Sequence, residues 1–466
     1  MNFQNIKKIH FIGIGGIGVS AVARIFLEQK KDVSGSDLSE SEITEELRDL
    51  GAKVFIGHRK DNISRDLDIA VYSPAVPEDN VELREAKKNK VPVLSYPQIL
   101  GQMMKNKSSI CISGTHGKTT TTAMVGEILT RAGLDPTVVV GSKVMNWQSN
   151  ARWGESKYFI VEACEYRRHF LNYSPRLILL TNIEYDHPDY YKDLQDVSNA
   201  FRKFISKLPK DGLLIACKDS RNVEKILENI QCEIVTYGIS SNAEWEAEDI
   251  KFENGENKFT VKKNNKVIGD FTLRIPGRHN VQNALGAIAL SSELNIPYHD
   301  IRKALENFKG TWRRFSKRGE VNNIIIIDDY AHHPTEIKTT LEATREFYPK
   351  KRIWCVFQPH QHARVLGLFK EFSTSFEDAD KLIVSDIYNV PGREKKTETI
   401  SSKDLTQEIK KIGQDVKYIP KLDKVKDYLL HHLKSGDVVI CMGPGDIYNL
   451  EGILLKELKC MKMPND

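Results

Sequence analysis

The sequence predicts an α/β protein of three domains, each built around a mostly parallel sheet. Two observations predict this class. The chain has 466 residues, which is more than one ordinary domain of ~100–200 residues holds. Strand-like apolar runs at 9–14, 110–113 and 324–328 each open a segment in which strands alternate with helices. Such alternation is typical of parallel βαβ units.

Strands and helices follow one another in each segment. The first segment continues with a helix at 19–29, a strand at 32–35, a helix at 42–50 and a strand at 53–55. The second continues with a helix at 119–131 and strands at 158–163 and 177–181. The third has strands at 352–357, 381–386, 416–419 and 437–442. Residues 242–270 are more polar and alternate in character, which predicts antiparallel strands in the middle domain.

Changes in composition mark the predicted domain boundaries. A polar stretch at 105–108 ends the first segment, and a glycine-flanked, arginine-rich stretch at 310–319 precedes the third. The predicted domains are a Rossmann-like domain at 1–106, a central domain like the P-loop ATPases at 107–312, and a second Rossmann-like domain at 313–466.

Charge and cysteine content exclude several classes of protein. The net charge of +5 is too small to indicate a nucleic-acid-binding surface. A mean hydropathy of −0.41 argues against disorder and against membrane insertion. Seven cysteines without a CxxC pair are typical of reduced thiols. Because no cleavable leader is evident, we expect a cytoplasmic protein.

The first glycine-rich motif lies at 13–18 and has the form GxGxxG between a strand and a helix. Glycines there let backbone amides approach a diphosphate at the helix N-terminus. Asp37 lies at the spacing of a ribose-binding acid. The motif predicts a dinucleotide or a nucleoside diphosphate, and by itself suggests NAD. The alternative is a turn that serves only close packing.

A second motif resembles a P-loop, although Ile112 stands where the usual spacing has glycine. Lys118 could reach the outer phosphates of a nucleotide, and Thr119 offers a hydroxyl to Mg²⁺. The alternative is an ordinary strand–helix turn with an exposed lysine. Two phosphate-binding turns in one chain argue against a simple dehydrogenase. The candidate nucleotide-binding residues of this loop are Gly114, Thr115, His116, Gly117, Lys118, Thr119 and Thr120.

Two polar residues follow predicted strands of the middle segment. Glu162 and His187 both lie at carboxyl ends of strands, where parallel sheets bind ligands. Mg²⁺ prefers oxygen ligands, so Glu162 is a natural partner of Thr119. A loop histidine is a less typical magnesium ligand, and the alternative for His187 is an ordinary surface residue.

Further polar residues lie near the second boundary. Asn280 and Asn283 are spaced to share one face of a helix, with helix capping as the alternative for Asn280. Arg313 and Arg314 could face polyphosphate. Paired acids at 328–329 suit a ribose or a metal. The adjacent histidines at 332–333 point apart on most backbones, which argues against zinc.

Together these motifs resemble the ATP-dependent Mur ligases of peptidoglycan synthesis over essentially all 466 residues. Residues 12–20, with Ser36 and Asp37, resemble the alanine-adding branch, and the Asp-Asn-Pro-Arg tract of the diaminopimelate- or lysine-adding branch is absent. The most specific segments, in the family order, are 114–120, 181–187, 279–284, 310–315 and 328–336.

The resemblance implies an ATP-dependent ligase. It would join L-alanine to the lactyl carboxylate of UDP-N-acetylmuramate through an acyl phosphate, giving ADP and phosphate. ATP would be the co-substrate and Mg²⁺ or Mn²⁺ the cofactor. The resemblance implies no nucleic-acid partner, and the chain is expected to be a monomer or a homodimer.

The resemblance also assigns roles to residues. Lys118, Glu162, His187 and Arg314 would be catalytic. Thr119, Glu162 and His187 would hold the metal. Besides the loop at 114–120, ATP would contact Asn280, Asn283 and Asp329. The UDP-sugar would contact Gly15, Gly16, Ile17, Ser36, Asp37, His58 and Ser73.

Two stretches depart from the family pattern and leave alternatives open. Residues 164–168 read Cys-Glu-Tyr-Arg-Arg where many members have Asp-Glu-Ser-Asp, which leaves open how the lactyl carboxylate is held. Residues 359–364 also vary. The alternative functions are a murein-peptide recycling ligase, a NAD-dependent oxidoreductase and a non-catalytic nucleotide-binding regulator. Selectivity among L-Ala, L-Ser and Gly stays open.

Overall fold

The computed structural model describes residues 5–253, 255–389 and 400–460. Their strands form three sheets of five, ten and six strands, and helices alternate with the strands. The predicted α/β class is confirmed. The three predicted domains correspond to these three sheets. The boundaries predicted at 106/107 and 312/313 fall between the sheets, and their exact positions stay predictions.

The first sheet is parallel throughout, with the strand order β3-β2-β1-β4-β5. Apolar side chains of β1 and α1 interlock, and the rings of Phe11 and Phe26 lie 6.3 Å apart. Its strands are β1 (Lys8–Ile12), β2 (Asp32–Asp37), β3 (Lys53–Ile56), β4 (Ile69–Tyr72) and β5 (Val93–Ser95). Its helices are α1 (Ile17–Glu28), α2 (Glu42–Asp49), α3 (Val81–Lys88) and α4 (Tyr96–Met103).

The central sheet has ten strands in the order β15-β14-β13-β12-β11-β10-β6-β9-β7-β8. They are β6 (Ser108–Ser113), β7 (Thr137–Val144), β8 (Ser149–Arg152), β9 (Tyr158–Glu162), β10 (Leu177–Leu180), β11 (Leu213–Cys217), β12 (Glu233–Gly238), β13 (Trp245–Glu253), β14 (Glu256–Lys263) and β15 (Lys266–Leu273). Strands β13 to β15 pair antiparallel, which confirms the prediction for 242–270.

Helices pack on both faces of the central sheet. Helix α5 begins at the second glycine turn and lies beside α8, and both bury apolar residues against the sheet. The helices are α5 (Lys118–Arg131), α6 (Leu194–Ile205), α7 (Arg221–Glu224), α8 (Arg278–Glu293) and α9 (Tyr298–Glu306), and a 3₁₀ segment covers Tyr166–Asn172.

The third sheet has the order β16-β17-β21-β18-β19-β20, and only β16 runs antiparallel to its neighbour. Its strands are β16 (Ser316–Val321), β17 (Ile324–Asp329), β18 (Ile353–Phe357), β19 (Lys381–Val384), β20 (Val416–Tyr418) and β21 (Val438–Met442). Its helices are α10 (Pro334–Phe347), α11 (His362–Gly367), α12 (Phe369–Ser373), α13 (Ser402–Lys411), α14 (Leu422–His432) and α15 (Tyr448–Cys460). Among the described residues, no helix is both long and apolar enough to cross a membrane.

A buried pair of carboxyl groups lies beneath the third sheet. Glu451 of α15 is only 1% exposed and adjoins Asp328 at the end of β17. Burial, together with the charge of Asp328, raises the pKa of Glu451, and Arg318 only partly offsets this. Glu451 therefore keeps its proton well above the pH at which an unfolded chain releases it.

Glu451→Gln is expected to flatten the pH dependence of stability. A raised pKa means that the contribution of Glu451 is complete below its unfolded pKa and declines as pH rises towards the folded one. The melting temperature of the unmodified chain should therefore fall further between pH 5 and pH 9 than that of Glu451→Gln. Calorimetry across that range measures both slopes, with exposed Glu457→Gln as the matched control. Parallel slopes would contradict the assignment.

Candidate active site

A cavity of about 370 Å³ lies between the carboxyl edge of the central sheet and the third sheet. The loop after β6, the first turn of α8 and residues from β17 and α10 all contribute to its walls. Of the sequence-predicted residues, those lining it are His116, Gly117, Thr119, Thr120, Asn280, Asn283, Arg314 and Asp329. Gly114, Thr115, Lys118, Glu162 and His187 lie outside this lining set.

The loop after β6 depends on two glycines in left-handed or extended positive-φ conformations. Gly114 has φ +141° and Gly117 has φ +79°. A Cβ at Gly114 would lie 2.0 Å from Thr181 Oγ1, and one at Gly117 would lie 2.4 Å from Asn283 Oδ1. Both positions therefore require glycine for conformation and for space.

Gly117→Ala is expected to weaken ATP binding about tenfold or more. Left-handed backbone costs a residue with a Cβ roughly 1–2 kcal/mol, and the new methyl must also displace Asn283 from the cavity wall. Gly133→Ala is the matched control, because Gly133 has φ +74° but no atom within 4 Å of the position that a Cβ would occupy. Fluorescent-nucleotide titration compares the two variants. Equal affinities would show that the contact with Asn283 is irrelevant.

Lys118 is held by the backbone of its own loop and by an acid. Its Nζ donates to the carbonyls of Gly114 at 2.6 Å and Thr115 at 2.8 Å, and lies 3.0 Å from Glu165 Oε2. Burial opposes the charge, but the nearby Glu165 carboxylate raises the pKa of Lys118. The lysine is therefore charged and pre-positioned at the loop.

Thr119 and Glu162 form an oxygen pair at the start of α5. Thr119 Oγ1 donates to Glu162 Oε1 at 3.0 Å, and Gly141 N–H donates to Glu162 Oε2 at 2.6 Å. A hydroxyl and a carboxylate are ligand types that Mg²⁺ prefers. The structure thus brings together two of the three residues for which the resemblance implies a metal role.

His187 contacts two other acids and not Glu162 in this arrangement of side chains. Its Nε2 lies 3.7 Å from Glu165 Oε1 and 3.6 Å from Asp186 Oδ2, and its ring centroid is 4.6 Å from that of Tyr166. The contacts of Glu165 therefore connect Lys118 to His187. In the sequence, Glu165 is only one residue of the stretch that departs from the family pattern. No local sequence pattern indicates that it lies between Lys118 and His187.

Arg167 and Arg168, the two arginines in the stretch that departs from the family pattern, make different contacts. Arg168 forms an ion pair with Asp196 at 2.6 Å, whereas exposed Arg167 lies over the ring of Tyr166. Both arginines have positive φ values, 48° for Arg167 and 57° for Arg168.

Asn280 and Asn283 line the cavity from the first two turns of α8. Asn280 Nδ2 donates to the Pro276 carbonyl at 2.6 Å, and Asn283 Nδ2 donates to Asn280 Oδ1 at 3.2 Å. The N-cap of α8 is Gly277, so the capping alternative for Asn280 is wrong. With both amides buried at the wall, their remaining polar atoms can face a ligand.

The third domain contributes an arginine and an acid to the cavity. Arg314 lies 3.8 Å from Glu336 Oε1. Asp329 accepts from the backbone N–H groups of Phe315 and Ala331, each at 2.7 Å. Burial raises the pKa of Asp329 to about 6 despite the nearby Arg314. Both residues line the same cavity as the P-loop-like turn.

Arg313 does not share the position of Arg314. It is 5% exposed, lies 3.2 Å from Asp328 and donates to the Gly443 carbonyl. The expectation that Arg313 faces polyphosphate is therefore wrong, because its guanidinium is already neutralised inside the third domain.

His116 lies between two carboxylates that were not predicted as its partners. Its Nδ1 is 3.1 Å from Glu336 Oε1, and its Nε2 is 3.5 Å from Glu184 Oε2. Burial opposes protonation, but these two acids raise the pKa of His116 to about 10. Glu336 is 220 positions away along the chain, so no local pattern could have indicated the contact.

The N-terminal candidates gather around the first glycine turn. Gly15 N–H donates to Asp37 Oδ2 at 2.8 Å, and Ser73 lies beside Gly13. Gly16 and Ile17 are exposed at the start of α1. The turn is thus open to solvent with Asp37 already bound to one of its amides.

Ser36 and His58 meet a buried acid that was not predicted. The Ser36 hydroxyl donates to Glu82, and His58 Nδ1 lies 3.4 Å from the same carboxylate. Burial opposes ionisation, but hydrogen bonds from histidines and from Ser36 lower the pKa of Glu82. Ser36 and His58, both predicted to contact the UDP-sugar, therefore also belong to a polar network around Glu82 in the first domain.

The first glycine turn contacts the central domain directly. Asn150 Nδ2 donates to the Ile17 carbonyl at 2.6 Å, and Lys143 pairs with Glu46 at 2.7 Å. These contacts place the turn against β7 and β8, on the side of the central sheet that also holds Glu162. A ligand extending from the first turn would thus approach the second.

A glycine-rich turn with a largely buried lysine, at the carboxyl edge of a parallel sheet, is typical of enzymes that bind nucleoside triphosphates. Three family models cover most of the chain. The Mur ligase family catalytic domain matches residues 8–108, the Mur ligase middle domain matches 112–291, and the Mur ligase glutamate ligase domain matches 313–445.

Curated relatives match along the whole chain. The UDP-N-acetylmuramate–L-alanine ligase of Acetivibrio thermocellus is 46% identical over 458 residues, which cover 97% of each chain. That of Clostridium tetani is 46% identical over 97% of this chain and 98% of its own. The chain belongs to the Mur ligase family, which confirms the predicted family.

Solved structures agree with this fold. The UDP-N-acetylmuramate–alanine ligase of Thermotoga maritima superimposes with a TM-score of 0.82 at 30% identity, covering 98% of this chain and all of that one. A murein peptide ligase of Psychrobacter arcticus superimposes with a TM-score of 0.74 at 25% identity, covering 98% and 100%.

Proposed function

We propose that the chain joins L-alanine to the lactyl carboxylate of UDP-N-acetylmuramate at the expense of ATP. The observation that carries the choice of substrates is the 46% identity, over 97% of both chains, to a curated ligase of that activity. The murein peptide ligase is less similar, at 25% identity. That difference favours free L-alanine over a preformed peptide as the second substrate.

The reaction requires activation of a carboxylate, because its oxygen is a poor leaving group. The lactyl carboxylate would attack the γ-phosphorus of ATP, forming an acyl phosphate and releasing ADP. The amine of L-alanine would then attack the acyl carbon, and the tetrahedral intermediate would expel phosphate. Lys118 and Arg314 would stabilise the negative charge on the transferring group.

The contacts of Lys118 support that role. Its ammonium group is charged, buried and held at the P-loop-like turn by two carbonyls and by Glu165. An arriving phosphate would exchange with Glu165 as the counter-ion of the lysine. Arg314 and Asp329 line the cavity from the third domain, and Asn280 and Asn283 line it from α8. Asn280 and Asn283 would contact the adenine, and Asp329 would contact the ribose.

Thr119 and Glu162 are the proposed magnesium ligands. Their oxygens are 3.0 Å apart, and both are donor types that suit the ion. Bound Mg²⁺ or Mn²⁺ would neutralise phosphate charge. We propose His187 as a further metal ligand. Its Nε2 lies 3.7 Å from Glu165 Oε1, and Glu165 also contacts Lys118. The UDP moiety would be bound at the first glycine turn, by Gly15, Gly16, Ile17, Asp37 and their neighbours.

Phosphate release from ATP with UDP-N-acetylmuramate, while the amino acid is varied, tests the proposal. L-alanine should give the highest rate, and mass spectrometry should find the UDP-N-acetylmuramoyl-alanine product. Faster turnover with a tripeptide would favour the recycling activity. Oxidation of NAD(P)H, or no turnover with any acceptor, would contradict the proposal. We also propose that the enzyme acts in the cytoplasm, as a monomer or a homodimer.

A further inference from the structure

Three potential metal ligands converge where the central and third domains meet. They are His116 after β6, Glu184 after β10 and His333 before α10, and one ligand atom from each lies within 4.8 Å of the others. His116 Nε2 is 3.5 Å from Glu184 Oε2, and His333 Nδ1 is 3.8 Å from the same oxygen. The cluster is separate from the Thr119–Glu162 pair.

The spacing of these atoms suits a tetrahedral ion. Zn²⁺ bonds to nitrogen and oxygen at about 2.0–2.2 Å, so tetrahedral ligands lie roughly 3.3–3.5 Å apart. The separations of 3.5 and 3.8 Å from Glu184 Oε2 need only small side-chain shifts to reach that value, and the two histidine nitrogens lie within 4.8 Å of each other. His116 and Glu184 also line the cavity, so a fourth position can be taken by water or by a ligand.

The contacts of His116 Nε2 leave room for an ion. This nitrogen is buried without a well-aligned hydrogen bond among the described residues, and it faces Glu184 Oε2 at 3.5 Å. A cation bound between these two atoms would replace the proton that His116 carries towards Glu184, because metal binding to imidazole releases a proton.

The surrounding contacts already orient the ligands. Glu336 holds Nδ1 of His116 at 3.1 Å, the Tyr185 carbonyl lies 3.1 Å from His333 Nε2, and Thr335 Oγ1 donates to Glu184 at 2.6 Å. A carboxylate on the far nitrogen of a metal-binding histidine is a recurring feature of zinc sites. The ion would displace two existing contacts, the ion pair of His116 Nε2 with Glu184 Oε2 at 3.5 Å and the Thr335 N–H that His333 Nδ1 accepts at 3.2 Å.

We propose that His116, Glu184 and His333 form a site for a zinc-class divalent cation that links the central domain to the third domain. Two imidazoles and one carboxylate match Zn²⁺ better than Mg²⁺, which prefers oxygen. Because His333 belongs to the third domain and the other two ligands to the central domain, bound ion holds the two domains together. His116 also belongs to the proposed ATP-binding loop, so the site adjoins the nucleotide cavity without depending on the ligase reaction.

Zinc content after dialysis against Zn²⁺ with excess Mg²⁺ tests the proposal. The full chain should retain about one Zn²⁺, and its melting temperature should rise with the metal. Glu184→Gln and His333→Ala should each lose the ion and the shift, with folding of both verified by circular dichroism. Exposed His299→Ala is the control and should keep both.

Cobalt substitution provides a second readout. Co²⁺ in the unmodified chain should show the visible absorption of a tetrahedral site, and His333→Ala should lack it. Absence of bound zinc in the unmodified chain would overturn the proposal. So would zinc that survives both ligand variants, or zinc that is lost on Glu162→Gln, since that result would place the ion beside Thr119.

Discussion

Lys118→Ala is expected to lower kcat for L-alanine-dependent phosphate release by about 10²–10³-fold or more, as for the loss of other charge-stabilising donors. The ammonium group of Lys118 is held at the turn by two backbone carbonyls, so its charge is positioned where the transferring phosphate would lie. Phosphate release under saturating substrates measures the change, and exposed Lys338→Ala is the matched control.

A double variant separates catalysis from stability. Removing Lys118 alone leaves Glu165 buried without its counter-ion, and such uncompensated charges destabilise a fold by several kcal/mol. Lys118→Ala with Glu165→Gln should therefore melt at a higher temperature than Lys118→Ala alone, yet remain equally inactive. Near-normal turnover in either variant would remove Lys118 from the proposed mechanism.

Local sequence patterns are sufficient to predict the fold class and the two glycine turns. The strand–turn–helix order at 13–18 and at 114–120 depends on neighbours in the chain, and β1–α1 and β6–α5 form there. The cavity also gathers residues that separate motifs indicated, such as Thr119, Asn283 and Asp329. Each follows a strand or begins a helix, and parallel sheets bring such positions to one edge.

Contacts between distant parts of the chain could not be predicted in this way. His116 and Glu336 are 220 positions apart and meet only because the third domain packs on the central one. The adjacency of His332 and His333 argues against one metal bound by both. In the structure, the ring of His333 lies beside that of His116, with 4.6 Å between the ring centroids. One sequence cannot specify how two domains are oriented, so these partners were missed.

The start of α8 shows a local error with a physical cause. Asn280 was a candidate N-cap because asparagine favours that position. Gly277, with φ +93°, instead begins the helix three residues earlier. The asparagine side chain is therefore turned inward to the Pro276 carbonyl and to Asn283. A glycine that admits a positive φ can start a helix where sequence preference alone would place a polar cap.

Arg364→Met is expected to destabilise the contact between the central and third domains by about 3–5 kcal/mol, the range for breaking a buried ion pair. Arg364 is 2% exposed, and its Nε donates to Asp186 Oδ1 at 2.8 Å. The guanidinium lowers the pKa of Asp186 although burial opposes ionisation. Without Arg364, that carboxylate would stay charged and buried, or the domains would separate to hydrate it.

Activity should fall with stability, because Asp186 adjoins His187. The His187 backbone N–H donates to Asp186 Oδ1 at 2.6 Å, and Arg364 Nη2 lies 3.4 Å from His187 Nδ1. The pair therefore positions a candidate catalytic loop from across the domain boundary. Arg364→Met should reduce kcat even at temperatures where the variant remains folded.

Melting temperatures of single and double variants measure the coupling. Arg364→Met with Asp186→Asn should melt higher than Arg364→Met alone, since no buried charge is left unpaired. Arg345→Met is the control, because the Arg345–Asp380 pair has a similar distance of 2.7 Å but is partly exposed and lies within the third domain. Exposed pairs contribute roughly 0–1 kcal/mol. Equal destabilisation by Arg345→Met and Arg364→Met would mean that burial between the domains adds nothing to the Asp186 pair.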